Sequence, residues 1–330
     1  MSTLVVDHPH ITLAAEGGAL RILEHGQTQT TIPLALVDRV VLQGSIDLNT
    51  RVLGQLAQTG IATLLLSGRQ SRRVAIVLGP PHNDAAVRVA QAHKVRDAAF
   101  CAAWSRRLVV AKVRAQRRGL LSLMRARPDC RKALSDGHAV LENLTRTLQA
   151  EDSIDVSRLR GVEGAASAAY FRALTNVFPG ALGFTGRNRR PPRDPVNACL
   201  SLAYTLLHFE AVACAYGAGL DPFIGFYHRP AFGRESLACD LIEPLRGRVD
   251  SWVLGLFRDR TLRAEHFVVD KGACLLGKQG RAHFYSAFEG FLRSPRRQLR
   301  KHCAWLAGTF RALGDGVFDE NFDEGLDGED

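Results

Sequence analysis

The 330-residue sequence predicts an α+β protein: a small β-rich amino-terminal domain joined by a short linker to a larger all-α domain. Three observations carry this. Short β-branched runs bounded by Gly, Pro and polar turns fill residues 3–78. Gly79-Pro-Pro-His-Asn83 can continue neither a strand nor a helix. From Asp84 the apolar positions then recur at helical spacing nearly to the end of the chain. The expected boundaries are 1–79 for the β-rich domain, 80–83 for the linker, 84–312 for the helical domain and 313–330 for an acidic, unstructured tail.

Strands are expected at Leu4–Val6, Ile11–Leu13, Leu20–Leu23, Thr30–Ile32, Val37–Leu42, Ala62–Leu66 and Val74–Leu78. Between the last two pairs of turns, residues 49–58 form the one helical candidate, with Asn49 as cap, Leu53, Leu56 and Ala57 inward, and Gly60 as stop. Seven cysteines, at 101, 130, 199, 214, 239, 274 and 303, include no Cys-x-x-Cys pair, which argues against structural zinc and a disulfide framework. No run of eighteen apolar residues and no signal-peptide pattern is seen, so the expectation is a soluble, cytoplasmic protein without a membrane partner.

The formal charge is +10, yet residues 313–330 carry eight acids and no Lys or Arg. The rest of the chain therefore sets 43 basic against 25 acidic side chains. A polyanionic partner is the most economical explanation of that excess. Arg106, Arg107, Lys112, Arg114, Arg117 and Arg118 fall within thirteen residues, and Arg107, Arg114 and Arg118 share a helix face. Arg187-Asn-Arg-Arg-Pro-Pro-Arg193 is a second basic element, in a proline-bearing loop, and Arg296, Arg297, Arg300 and Lys301 form a third. Arginine is suited to phosphate because its planar fork matches the geometry of the anion.

The chemistry is concentrated in Gly225–Arg246, where one imidazole and two carboxylates lie within sixteen residues. His228 follows a Gly-Phe-Tyr turn and sits on a loop, whereas Ser236–Ile242 reads as a helix capped at Ser236 or just before it. Asp240 and Glu243, at i and i+3, project from one face. Like charges so placed are either exposed to water or neutralised by a cation, and a nearby imidazole favours the cation. Two oxygens and one nitrogen suit magnesium or manganese. Upstream, Arg160, Glu163, Ser167 and Tyr170 share a face of a small-residue helix. No nucleotide-binding Gly-rich loop, serine-hydrolase elbow or His-Glu-x-x-His helix is present.

Four separated blocks carry a resemblance: Arg160-Gly-Val-Glu-Gly-Ala-Ala, the run from Asp194 to Leu207, Gly225-Phe-Tyr-His, and Gly233 to Arg246. In order and spacing they are similar to the CRISPR-associated integrase and endonuclease family, the "number one" Cas protein, catalytic subunit of spacer acquisition. The resemblance implies that Glu163, His228 and Asp240 are catalytic and hold Mg2+ or Mn2+, with Glu243 supporting the ion from outside. It implies 3'-hydroxyl attack on a phosphodiester, in which a divalent ion offsets the charge that develops on the phosphoryl oxygens. Arg160, Tyr170, Asn197, Arg187, Arg189, Arg190, Arg107, Arg114 and Arg118 are candidate contacts to DNA. A homodimer formed through the β-rich domains and a small ferredoxin-like partner protein are implied as well. Two alternatives stay open at this point: a transposon-borne integrase of the same fold, and a non-catalytic nucleic-acid scaffold. Pro244 is expected to kink the helix that carries Asp240.

Overall fold

Alternation of apolar and polar residues at the amino terminus builds two four-stranded sheets. The strands are β1 (Ser2–Val6), β2 (Ile11–Glu16), β3 (Ala19–Glu24), β4 (Gln27–Pro33), β5 (Val37–Gln43), β6 (Asp47–Leu48), β7 (Ala62–Leu66) and β8 (Arg73–Val77). One sheet has the order β1-β5-β7-β8, with β1, β5 and β7 parallel and β8 antiparallel to β7. The other runs β4-β3-β2-β6, antiparallel but for the β2–β6 pair. Leu13, Leu20, Val40, Val52 and Leu56 lie at the centre of their shared core. Helix α1 (Thr50–Gln58) starts where Asn49 Oδ1 accepts from the Val52 amide, 3.2 Å away, and stops before Gly60, whose φ of +72° suits glycine. Val52 and Leu56, rather than Leu53 and Ala57, form its buried face. β6 was not expected, because a two-residue strand leaves no periodic signal.

The helices that follow are α2 (Ala85–Lys94), α3 (Ala98–Ala126), α4 (Arg131–Ala150), α5 (Val156–Leu174), α6 (Pro195–Gly217), α7 (Ser236–Ile242) and α8 (Arg246–Arg258). Asp84, Asp97 and Asp155 cap α2, α3 and α5, each accepting from an amide three residues on. Beyond α8 the sequence reading of continuous helix fails. A two-stranded hairpin, β9 (Phe267–Asp270) and β10 (Ala273–Leu276), precedes the last helix, α9 (Lys278–Gly314). Its signal is Val268-Val-Asp-Lys-Gly-Ala-Cys, a two-residue turn between apolar runs, with Lys271 and Gly272 both at positive φ.

The structure, a computed structural model, describes residues 2–8, 10–68, 73–80, 82, 84–151, 154–188 and 191–314. Parts of the expected linker and nearly all of the acidic tail lie outside those residues. The chain forms two units: Met1–Pro81 with Asn188–Phe209 and Leu256–Arg293, and His82–Arg187 with Glu210–Gly255 and Ser294–Asp330. Within the first, Arg39 pairs with Glu289 at 2.9 Å and Arg281 with Asp7 at 2.9 Å, so late and early segments share one fold. Helix α6, although interrupted by Asn197, Ser201, Thr205, His208 and Glu210, is long and apolar enough to cross a membrane by length and composition; most of its residues are buried within the protein, as in a core helix.

In the second unit α3, α4 and α5 pack together through Val109, Val113 and Leu120, through Leu134, Leu141 and Leu148, and through Leu159, Ala166 and Ala173. Gly137 of α4 permits the close approach: a Cβ there would lie 2.8 Å from Ala173 Cβ and 3.3 Å from Leu120 Cδ1. Gly137→Val therefore overpacks the three-helix contact. Its small gain in helix propensity is outweighed, and a loss of about 1–3 kcal/mol is expected in denaturant unfolding.

Candidate metal centre

The loop from Asp221 to Glu235 is held at both ends by groups that the helices supply. Gln91 of α2 donates to the carbonyls of Asp221, at 2.9 Å, and Ile224, at 2.8 Å, and accepts from the Asp221 amide at 2.8 Å. Gly225 lies so close to the start of α7 that a Cβ would meet the Ser236 carbonyl carbon at 2.5 Å and the Leu237 nitrogen at 2.8 Å. Only glycine fits there. The loop's tip is a turn bridged between Ala231 and Arg234. Arg234 and the Ser236 hydroxyl both donate to the Arg229 carbonyl. Ser236 thus fastens the loop and does not cap α7, whose N-cap residue Glu235 makes no side-chain cap bond.

Asp240 is fully buried, and its carboxylate is saturated by that loop. Oδ2 accepts from the amides of Phe226, at 2.8 Å, and Tyr227, at 2.9 Å; Oδ1 accepts from the amide of His228 at 2.9 Å and faces its Nδ1 at 2.7 Å. A carboxylate accepts, so the bond to Asp240 places a proton on Nδ1, and in the neutral ring Nε2 then carries the lone pair. The imidazole, half-buried, is thereby aimed and set in one tautomer.

Three residues on, the α-helix gives way to a 3-10 turn at Glu243–Leu245, with Pro244 in its first positions. Glu243 is buried, and Arg246 donates from Nε to its Oε1 at 2.8 Å. Its Oε2 is 2.6 Å from Lys112 Nζ, but at an angle that makes no hydrogen bond, leaving a buried oxygen without a hydrogen-bond partner. The same ammonium, from α3, donates to Oε1 of Glu163 on α5, which also accepts from the Ser167 hydroxyl at 2.9 Å. One buried cation thus joins two carboxylates from two elements. Burial opposes the charge of Glu243, yet Arg246 and then Lys112 outweigh it and hold the carboxyl at about 2. The Tyr227 phenol is pushed well above its ordinary range by burial, with Glu163 and Glu243 adding to the effect. Among the described residues no three His, Cys, Asp or Glu side chains stand close enough to share one ion as they are. The chemistry of the set nonetheless fits a divalent cation: two carboxylates that already share a positive charge, one of them with an unbonded buried oxygen, beside an oriented imidazole.

Comparison with known proteins decides the family. The model of the family described as "CRISPR associated protein Cas1" matches residues 4–290. The chain belongs to the CRISPR-associated Cas1 family. It is 38% identical over 301 residues to "CRISPR-associated endonuclease Cas1 1" of Thermodesulfovibrio yellowstonii, covering 90% of this chain and 93% of that one. It is 36% identical to "CRISPR-associated endonuclease Cas1 3" of Thermus thermophilus, over 85% and 81% of the two chains. The fold is shared with a Cas1 protein from Thermotoga maritima, with a TM-score of 0.81, 23% identity and coverage of 94% and 97%. A structure titled "Casposase bound to integration product" has a TM-score of 0.79 at 21% identity, over 94% and 91%.

In this Cas1-family chain the fold brings Glu163, His228, Asp240 and Glu243 into one unit, and Arg160 with them. Arg160 donates to the Tyr227 carbonyl at 2.9 Å and lies over its ring at 5.9 Å, its side chain still largely exposed. Arg107, Arg114 and Arg118 are exposed along α3. Two expected contacts are corrected. Tyr170 is buried in the core, edge-on to Phe171, and Asn197 is fully buried where it binds Asp194 and the Asn188 amide in the turn before α6. Neither can reach DNA. Arg187 is half-buried, and Arg189 and Arg190 lie outside the described residues. Arg296 is buried against Glu210 at 2.7 Å and is withdrawn from the third basic cluster, while Arg106 donates to the last carbonyls of α4. Lys112, one of the six basic residues of that run, is buried beside Glu163 and Glu243, and its neighbours Val109 and Val113 mark the inner side of α3.

Asp240→Asn would turn an amide donor toward backbone N–H groups that need an acceptor. A loss of about 2–4 kcal/mol in thermal or denaturant unfolding is the expected outcome, with the fold retained in the far-ultraviolet dichroism spectrum.

Proposed function

We propose that this chain is a divalent-metal-dependent DNA integrase and endonuclease of CRISPR adaptation, inserting short DNA segments into a repeat array by 3'-hydroxyl attack on a phosphodiester. The observation that carries the reading is the pair of carboxylates on Lys112, set beside an imidazole whose Nδ1 is already engaged. The names of the curated relatives, CRISPR-associated endonucleases, support it. Mg2+ or Mn2+ would be held by Glu163, Glu243 and Nε2 of His228. This exchanges the two roles that the resemblance implied: Asp240, with both oxygens engaged by the loop, orients His228, and Glu243, with its unbonded oxygen, faces the ion.

A bound divalent ion supplies charge to offset that developing on the phosphoryl oxygens and lowers the pKa of the attacking hydroxyl, or of water in a nick. The chain's own groups do the rest. Asp240 holds the Nδ1 side of His228, so that Nε2 is the ring nitrogen left to face a ligand. Arg246 keeps Glu243 ionised. Arg160, tied to the loop yet exposed, stands where a guanidinium can bind a phosphate next to the reacting one. The arginines of α3 extend the cationic surface along the duplex. A homodimer and a small ferredoxin-like partner in the cytoplasm complete the proposal.

The roles separate in an assay of integration of labelled duplex into a supercoiled repeat-bearing plasmid, titrated with manganese. Glu243→Gln should abolish strand transfer at every metal concentration. Asp240→Asn should lose about 10–100-fold in metal affinity and recover much of its activity at high manganese. The opposite pattern would return Asp240 to the ligand set. Binding of duplex DNA should also weaken by about 10³ or more between 50 and 200 mM salt if six or so phosphates are neutralised. A flat salt profile in a filter-binding or anisotropy titration counts against the arginine surface.

A further inference from the structure

Lys112 is almost wholly buried, contacts carboxylates from two different elements, and sits at the position a shared cation would take between them. A buried ammonium needs neutralising partners, and Glu163 and Glu243 supply them. The pairing costs Glu243 something in return: one ammonium serving two carboxylates leaves Oε2 without a directed bond. A fully committed structural ion pair would have both partners in hydrogen-bond geometry, as Arg246 has with Oε1 of the same side chain. Lys112 also lies on a flexible four-carbon stem, so its head can move while its helix stays packed through Val109 and Val113.

We infer that Lys112 is an internal cation that competes with the divalent ion for Glu163 and Glu243, and so sets how tightly this centre holds its metal. The inference rests on the metal centre proposed above and deepens it. Both cations are attracted by the same two negative charges and repel each other, so occupancy by one weakens the other. With Lys112 in place the two carboxylates are held together and neutralised before any ion arrives. An ion that enters must displace the ammonium, which can then turn to another anion, and a phosphate of bound DNA is the anion that the proposed reaction brings.

The test is direct binding of Mn2+ to the full-length protein without DNA, read by the free-ion paramagnetic resonance signal and by calorimetry, alongside thermal unfolding with and without the ion. Lys112→Met removes the charge and keeps the length of the stem. It should bind Mn2+ about tenfold or more tightly than the wild type, as expected for removing a unit charge a few ångströms from the ion. It should melt lower than the wild type without Mn2+ and gain more in melting temperature when Mn2+ is added. Lys112→Gln, which keeps a hydrogen-bond donor, should shift affinity in the same direction and serves if the Met variant does not fold. Lys112→Arg, which keeps the charge, should stay within about threefold of the wild type. Unchanged or weaker Mn2+ binding in both neutral variants would overturn the inference and make Lys112 a support that organises the ligands. Glu163→Gln and Glu243→Gln separate the two levels of the argument. Should they bind Mn2+ as well as the wild type does, the metal centre itself is misplaced. Should they lose binding while Lys112→Met gains nothing, only the competition fails.

Discussion

The buried carboxylate of Asp240 is the constraint on which the candidate centre depends. Three consecutive amides, those of Phe226, Tyr227 and His228, converge on it, and the imidazole of the third closes the set. An unpaired carboxylate at such depth would be costly, whereas one that accepts four hydrogen bonds is satisfied and holds a whole loop in place. Backbone donors are rigid in a way that side chains are not. The direction of His228 follows from the position of Asp240 and not from the preferences of the loop, and Gly225 permits that loop to lie against the first turn of α7.

From that anchor the neighbouring groups acquire distinct tasks. The change from α-helix to 3-10 turn at Glu243 carries the second acid away from the first, toward Lys112 and Arg246. Two carboxylates three residues apart thus face different surroundings, one met by neutral amides and an imidazole, the other by full positive charges. Electrostatics then distinguishes them: the cations around Glu243 prevail over its burial and keep its carboxyl low in pKa. Glu163 reaches the same ammonium from α5, and the close contact of α4 and α5 at Gly137 and Ala173 sets where that helix lies.

The cationic surface divides in the same manner, into arginines that remain outside and basic groups drawn in. Arg107, Arg114 and Arg118 keep the exposed face of α3 that their spacing implied. Lys112 and Arg296 belong to equally basic runs and are buried, each because a carboxylate from elsewhere in the same unit reaches it. Charge density along a sequence does not tell these cases apart, since a basic side chain on an apolar face is invisible as such until its acidic partner is known.

What the sequence determined by itself was local. Strand alternation, the Asn49 cap, the Gly-Pro-Pro break, the seven-residue α7 and the effect of Pro244 all depend on neighbours within a few positions, and they were legible there. Glu163, His228, Asp240 and Glu243 were singled out there as candidates, through separated blocks whose order resembles a family pattern. The hairpin of β9 and β10 was missed although its turn was written in the sequence, since the helical segments around it dominated the reading. Tertiary structure alone decided which residues are withdrawn and which surround Lys112. Tyr170 and Asn197 share faces and blocks with functional residues, yet packing buries them. Asp240 and Glu243 look alike at i and i+3, and their surroundings part only because amides twelve to fourteen residues away converge on one and a lysine from α3 reaches the other. Those partners are distant in sequence, and hydrogen-bond saturation, unlike periodicity, is a property of the assembled site.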